Sequence, residues 1–304
     1  MTGSSKLDPA SSLREHRGPS ELGLARSLRE HRGPRFLAAI STPFAADGSV
    51  ALDEFGEHVA WLADAGLDGV FVAGTTGEGV LLEDDEIAAL SERAAAAGDG
   101  LRVIAQVGRP STRATARLAR RAIDLGADAV AAYVPWFYPA TDADARTHFH
   151  GLLEAAGEVP AFLYNIPRRT VNDLSAELAG ELAAAGFAGM KDSTGSFERH
   201  EGYLDATRDH DFELYIGSEP LVLRAYREGA AGAITGLAGA RPELFARLRD
   251  AIAAGDDSAA DAAQAEIATA KADVESEGST VAAVKRRVAA RLDGYPAAPR
   301  APFA

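Results

Sequence analysis

The stretch Ala185-Gly186-Phe187-Ala188-Gly189-Met190-Lys191-Asp192-Ser193-Thr194-Gly195 decides how this chain is read. Its first half is short, apolar and bounded by glycine, which predicts a buried β-strand over 187–191. Apolar residues at helical spacing precede it over 173–184 and follow it over 197–208. A strand between two amphipathic helices is one unit of a parallel sheet. The strand ends on a lysine, an unusual residue there, because burying an ammonium without a partner is costly. Lysine loses its charge readily when desolvated, and the neutral amine attacks carbonyl carbon, as in a Schiff base with a keto substrate. Position alone is equally compatible with a lysine whose stem packs while its head reaches water.

Outward from this unit the same alternation repeats. Strand-like runs fall at 36–41, 70–74, 102–107, 129–134, 161–165, 187–191, 213–217 and 232–236. Helical patterns lie between them near 53–65, 84–97, 111–125, 142–156, 173–184, 197–208, 219–228 and 241–254. Eight β-then-α units predict an α/β fold of one kind, a closed (β/α)8 TIM barrel. Two Ala-rich helical stretches, 258–276 and 279–292, extend it. The expected organisation is an N-terminal extension over 1–35, the barrel over 36–256 and a C-terminal helical extension over 257–304. A doubly wound sheet is disfavoured, because the first strand runs into Thr42-Pro43-Phe44 and not into a Gly-rich phosphate turn.

Composition narrows the function. The chain has 304 residues, 47% of them hydrophobic, which suffices for a large core, and a formal net charge of −14. An acidic surface disfavours nucleic acid and anionic membrane as partners. There are no cysteines, which excludes disulfides, thiolate catalysis and cysteine-held metal. No apolar run is long enough for a membrane span, and the N-terminus lacks the apolar region of a secretory signal, so a cytoplasmic protein is expected. Residues 1–35 carry seven Lys/Arg against four Asp/Glu and contain the octapeptide Ser-Leu-Arg-Glu-His-Arg-Gly-Pro twice, at 12–19 and 27–34. So few apolar residues cannot build a core, and disorder is expected there.

Active sites of such barrels lie at the C-terminal ends of the strands, and unusual residues collect at those positions. After strand 2 comes Gly74-Thr75-Thr76-Gly77-Glu78-Gly79, whose hydroxyls and backbone N–H groups suit a carboxylate. Its spacing fits no phosphate loop. After strand 5 comes Tyr164-Asn165-Ile166-Pro167-Arg168-Arg169. A tyrosine there can move a proton, and Arg169 can clamp a carboxylate. Lys191 ends strand 6, Gly217-Ser218-Glu219 follows strand 7, and Ile234 lies in strand 8. A nucleophilic lysine, a phenol and a carboxylate-binding loop around one cavity are what Schiff-base chemistry on a 2-keto acid needs. The histidines do not have metal-like spacing; His148 and His150 lie two apart on a helical pattern, and no metal is expected.

These motifs, Gly74-Thr75-Thr76-Gly77-Glu78, Tyr164-Asn165-Ile166-Pro167 and Gly189-Met190-Lys191-Asp192, resemble those of the dihydrodipicolinate synthase / N-acetylneuraminate lyase family of pyruvate-dependent class I aldolases. The resemblance runs from Phe36 to Ala304. It implies a barrel with C-terminal helices, a homotetramer built as a dimer of dimers, and chemistry without cofactor. Lys191 would form the imine with pyruvate, and Tyr164 would be the acid/base. Thr75 and Thr76, beside Gly74, would hold the carboxylate, with Thr75 passing protons to Tyr164. Ile234 would line the imine pocket. Arg169 matches the arginine that grips the second substrate's carboxylate in the synthases. Those enzymes complete a proton relay with a tyrosine from a neighbouring subunit; Phe137 stands at that position here, with Tyr138 beside it as the residue that would have to substitute. Val103-Ile104-Ala105-Gln106-Val107-Gly108, Gly217-Ser218-Glu219 and Gly294-Tyr295-Pro296 look like the 2-keto-3-deoxygluconate aldolases. The expected activity is therefore cleavage or formation of a C–C bond between pyruvate and an aldehyde, of sugar-acid type. The alternative is 4-hydroxy-tetrahydrodipicolinate synthase acting on pyruvate and aspartate semialdehyde. A second alternative is a barrel that binds a keto acid without turnover.

Overall fold

The computed structural model of the chain describes residues 33–303; the repeated octapeptides of the N-terminal extension lie, but for Gly33 and Pro34, outside them. Eight parallel strands close a barrel in sequence order: β1 (Arg35–Ala39), β2 (Gly69–Val72), β3 (Arg102–Gln106), β4 (Ala129–Tyr133), β5 (Ala161–Asn165), β6 (Gly189–Asp192), β7 (Glu213–Ile216) and β8 (Gly232–Thr235). Each is followed by a helix: α1 (Leu52–Asp64), α2 (Asp84–Ala97), α3 (Thr112–Asp124), α4 (Asp142–Ala156), α5 (Ala176–Ala184), α6 (Phe197–Thr207), α7 (Val222–Arg227) and α8 (Pro242–Ala254). Two more, α9 (Asp257–Ser276) and α10 (Thr280–Ala289), follow the barrel. No described helix is long and apolar enough to cross a membrane.

Strand alternation sorts side chains into two cores. Leu37, Ala39, Phe71, Ile104, Ala131, Tyr133, Phe162, Tyr164, Tyr215 and Ile234 point inward and fill the barrel. Their neighbours in sequence, such as Ala38, Val72, Val103, Leu163 and Met190, pack outward against the helices. Both faces are covered, which is why the strands read as continuous apolar runs. Serine or threonine side chains cap several helices: Ser111, Thr141, Ser175 and Ser196 each accept from a first-turn N–H.

Two boundaries differ from the sequence reading. The strand expected over 187–191 pairs from Gly189 to Asp192, because the Phe187 N–H closes the turn after α5 onto Leu182. Lys191 is thus an interior residue of β6, paired in register with Tyr164 of β5 and Tyr215 of β7. The helix expected over 219–228 is split, because Pro220 sits in a short 3-10 turn before α7 begins at Val222.

The C-terminal extension is sewn to the rim beside β2. Lys285 of α10 is fully buried and pairs with Glu78 at 2.6 Å, and it also donates to the Ala298 carbonyl. The Arg300 N–H donates to Glu78, and its guanidinium grips Glu86 through two bonds at 2.6 and 2.8 Å. Both cations lie over the Phe44 ring. Removing one partner of such a pair strands the other charge in the interior. Lys285→Met is therefore expected to lower unfolding free energy by about 3 kcal/mol, read by urea denaturation; a loss below about 0.5 kcal/mol would place the pair with ordinary surface ion pairs.

Candidate active site

The in-register pairing of β5 and β6 places Tyr164 and Lys191 side by side on the inner wall. Lys191 is 4% exposed. Its Nζ lies 4.4 Å from the centre of the Phe71 ring and 4.5 Å from that of Tyr164, and it makes no salt bridge among the described residues. Burial pushes the amine down to about 7, and the Glu219 carboxylate pulls it back only in part. Glu219 itself is engaged elsewhere, with Lys271 at 3.3 Å. A neutral, nucleophilic amine is thus populated near neutral pH.

The Tyr164 hydroxyl is 3.2 Å from Thr75 Oγ1. Burial raises the phenol, while Thr75, Ser193 and Arg169 act to lower it. It keeps its proton at neutral pH and can give it to an oxygen that leaves carbon.

The loop that carries Thr75 is held in a compact turn. Glu78 N–H donates to the Thr75 carbonyl and Gly79 N–H to the Gly74 carbonyl. Ala73 and Glu78 sit at positive φ, 55° and 57°. A side chain at Gly79 would collide with the Ala73 carbonyl at 1.8 Å. The Thr75 and Thr76 N–H groups have no hydrogen-bond partner among the described residues, so two donors are free for an anion. Gly236, after β8, leaves room for Thr76: a Cβ there would meet its Oγ1 at 2.9 Å.

A cavity of about 390 Å³ adjoins this cluster at Thr75. Thr75, Tyr133, Trp136, Arg169 and Thr170 line it from the barrel side, and Val281, Pro299 and Phe303 from the C-terminal extension. Tyr164 is one hydrogen bond from this wall, through Thr75. An amine with a proton donor beside it, amides free for a carboxylate and a guanidinium on the adjoining cavity wall form a set suited to a keto acid that becomes an imine.

Of the residues expected from sequence, Lys191, Tyr164, Gly74, Thr75 and Thr76 come together at this end of the barrel. Ile234 lies in the same inner core, and Arg169 lines the cavity. Gly217 follows β7, where a Cβ would overlap Ser193 Oγ at 2.2 Å; the glycine keeps Ser193 in place beside Tyr164. Ser218 precedes the short turn at 219–221. Tyr138 is not brought to the cavity within this chain. It is 74% exposed and edge-on to Phe137, itself 75% exposed at φ 79°. Sequence reading missed Ser193 and Tyr133. The signal was available: both lie at strand ends, and Tyr133 ends β4 as Tyr164 nears the end of β5.

The dihydrodipicolinate synthetase family model matches residues 33–304. The chain is 35% identical over 224 residues to 4-hydroxy-tetrahydrodipicolinate synthase of Moorella thermoacetica, covering 73% of this chain and 76% of the relative. Among solved structures it is similar to KD(P)GA from T. tenax, with 32% identity, a TM-score of 0.80, and 88% and 92% of the two chains covered. A variant of Sulfolobus solfataricus 2-keto-3-deoxygluconate aldolase aligns at 25% identity with a TM-score of 0.80, over 89% and 90% of the chains.

The geometry makes two predictions. Because only the neutral amine attacks carbonyl carbon, imine formation with pyruvate should rise with pH through about 7 and then level, in place of an inflection near the ordinary lysine value. Stopped-flow or quenched trapping across pH reads it. Lys191→Ala should abolish trapping. Tyr164→Phe should slow turnover by roughly 10²–10⁴-fold; a change under about threefold would assign the proton to another group.

Proposed function

The chain belongs to the dihydrodipicolinate synthetase family, a family of class I pyruvate-dependent lyases, and from that premise we propose that it is an aldolase of the 2-keto-3-deoxy sugar-acid type. Lys191 carries the proposal: a buried amine with no salt bridge among the described residues, lowered to about 7, beside a phenol. In this reading the amine adds to the keto carbon of pyruvate. Tyr164 protonates the departing oxygen, and water leaves. The iminium then draws electrons from the adjacent carbon, so a C–C bond to an aldehyde breaks there or forms there. The free amides of Thr75 and Thr76 hold the carboxylate, and Arg169 faces the aldehyde's far end. The sugar-acid branch is supported by the motifs at 103–108, 217–219 and 294–296 and by the similarity to the two aldolase structures.

A second reading, 4-hydroxy-tetrahydrodipicolinate synthase, is favoured by Arg169, which lines the cavity where the carboxylate of aspartate semialdehyde would lie. Against it, Phe137 has no hydroxyl to complete the synthases' relay. The assembly proposed with either reading is a homotetramer.

Incubation with pyruvate and borohydride, followed by intact mass and peptide mapping, should give one pyruvyl adduct, on Lys191. Aldehyde-dependent consumption of pyruvate should then be faster with glyceraldehyde than with aspartate semialdehyde; the reverse order would select the second reading. An adduct without turnover of any aldehyde would point to a binding barrel.

A further inference from the structure

The cavity has two unlike sides, and the chemistry above uses one of them. On the barrel side stand the hydroxyls of Thr75 and Tyr133 and the guanidinium of Arg169. On the other side stand Val80 and Leu81, from the short 3-10 turn after the Thr75 loop, and Val281, Pro299 and Phe303 of the C-terminal extension. Burial gives the cavity a direction. Tyr133 is 4% exposed, whereas Val80 and Phe303 are 63% and 61% exposed. The apolar side therefore reaches the mouth, where large apolar side chains stand open to whatever enters.

The other hydroxyls and the one carboxylate of the lining are already committed. Glu78 holds Lys285 with Oε1 at 2.6 Å and accepts the Arg300 N–H with Oε2. The Thr170 hydroxyl donates to the Ile166 and Asn172 carbonyls. Ser279 caps α10, its Oγ accepting from the Ala282 N–H. A polyhydroxy chain lying on this side would give up bonds to water for contact with hydrocarbon, which is unfavourable. An alkyl chain would gain by leaving water. Phe303 is held in place there. Arg300, just before it, is clamped to Glu86 and Glu78, and the Phe303 N–H donates to the Arg300 carbonyl. Tyr295, earlier in the same segment, turns its ring into the core, 5% exposed and bonded to Ser41; Phe303 presents its ring to the cavity instead.

We propose that the C-terminal side of the cavity is a subsite for a hydrocarbon chain, with Phe303 and Val281 as its specificity-determining residues, and that the enzyme adds pyruvate to aliphatic aldehydes. The inference rests on the imine chemistry at Lys191 and goes beyond the sugar-acid reading, to a second class of acceptor. The iminium loses a methyl proton to Tyr164, left as phenolate when water departed, and becomes the enamine. The enamine carbon attacks the aldehyde carbon. The C–C bond forms as the C=O π pair moves to oxygen, which takes that proton back from Tyr164. Water then hydrolyses the iminium and frees the amine. One pyruvate and one aldehyde give one 4-hydroxy-2-keto acid, and no external oxidant or reductant enters. The alkyl group on the new carbinol carbon lies along Val281, Pro299 and Phe303.

Propanal, butanal, pentanal and hexanal, each with saturating pyruvate, test the subsite by pyruvate consumption, with glyceraldehyde alongside. In the wild type each added methylene should raise kcat/KM roughly two- to fourfold until the cavity is filled. Phe303→Ser and Val281→Ser leave Lys285 and Arg300 at their anchors. Each should lower the hexanal-to-glyceraldehyde ratio of kcat/KM at least about 10-fold, a ratio that partial unfolding of the sample does not move. Phe303→Leu, which keeps hydrocarbon at the position, should retain most of it. A flat series in a wild type that traps pyruvate on Lys191 and turns over glyceraldehyde would overturn the subsite and leave the sugar-acid reading standing. A rising series that neither serine variant alters would overturn the assignment to the C-terminal extension. No adduct in the wild type would overturn the imine chemistry and the subsite with it.

Discussion

The site depends on the desolvation of one amine. An ammonium at Lys191 would need a carboxylate or water; burial removes nearly all its contact with solvent, and Glu219 compensates only in part. Its Nζ faces the rings of Phe71 and Tyr164. Glu219, the nearest acid in effect, is buried and drawn off by Lys271 of α9. The protein thereby gives up stability at one position of β6, since a paired or apolar residue would cost less there. The same expense holds the amine in the form that reacts.

That constraint explains the fixed polar surroundings. The residue after Lys191 turns outward, and its carboxylate is tied down: Asp192 meets His200 of α6 at 3.0 Å, both fully buried, and accepts from the Thr194 N–H. Asn165, at the end of β5, donates to Asp173 and Tyr203, which locks the strand end beyond Tyr164. The C-terminal extension does the corresponding work above. Lys285 and Arg300 anchor it to Glu78 and Glu86, on the segment that follows Thr75, and so bring Val281, Pro299 and Phe303 to the cavity wall. Loop placement and the outer cavity wall come from the same two ion pairs.

The fold was legible because each strand is buried on both faces and each helix has one apolar stripe; two periodicities in strict alternation leave little but a closed barrel. The inner site was legible for a related reason. Lys191, Tyr164 and the Gly74–Gly79 loop are polar or flexible residues at strand ends, where an apolar run would otherwise continue. Tyr133 escaped notice because a tyrosine in a strand is an ordinary core residue by composition; its register and ring stacking with Tyr164 place it beside the site. Tyr138 is a different case: within one chain it lies outside the cavity wall and is 74% exposed. Its neighbour Phe137 has a positive φ, which no residue pattern announced, and that turn sends both rings outward.

The strained positions follow the same logic. Ala73, Glu78, Phe137 and Val171 are non-glycine residues at positive φ, a conformation that costs each of them on the order of 1 kcal/mol or more. All four flank the cavity-lining segments: Ala73 and Glu78 bracket the Thr75 loop, Phe137 follows Trp136, and Val171 follows Thr170. Asn172 ties the last two segments together, donating to the Pro135 and Tyr138 carbonyls and accepting from the Ala140 N–H. Among the described residues, the non-glycine residues at positive φ therefore fall on the rim on which Thr75, Trp136 and Arg169 are held. A barrel of regular strands supplies the rigidity, and a few bent rim residues aim the groups that touch the ligand.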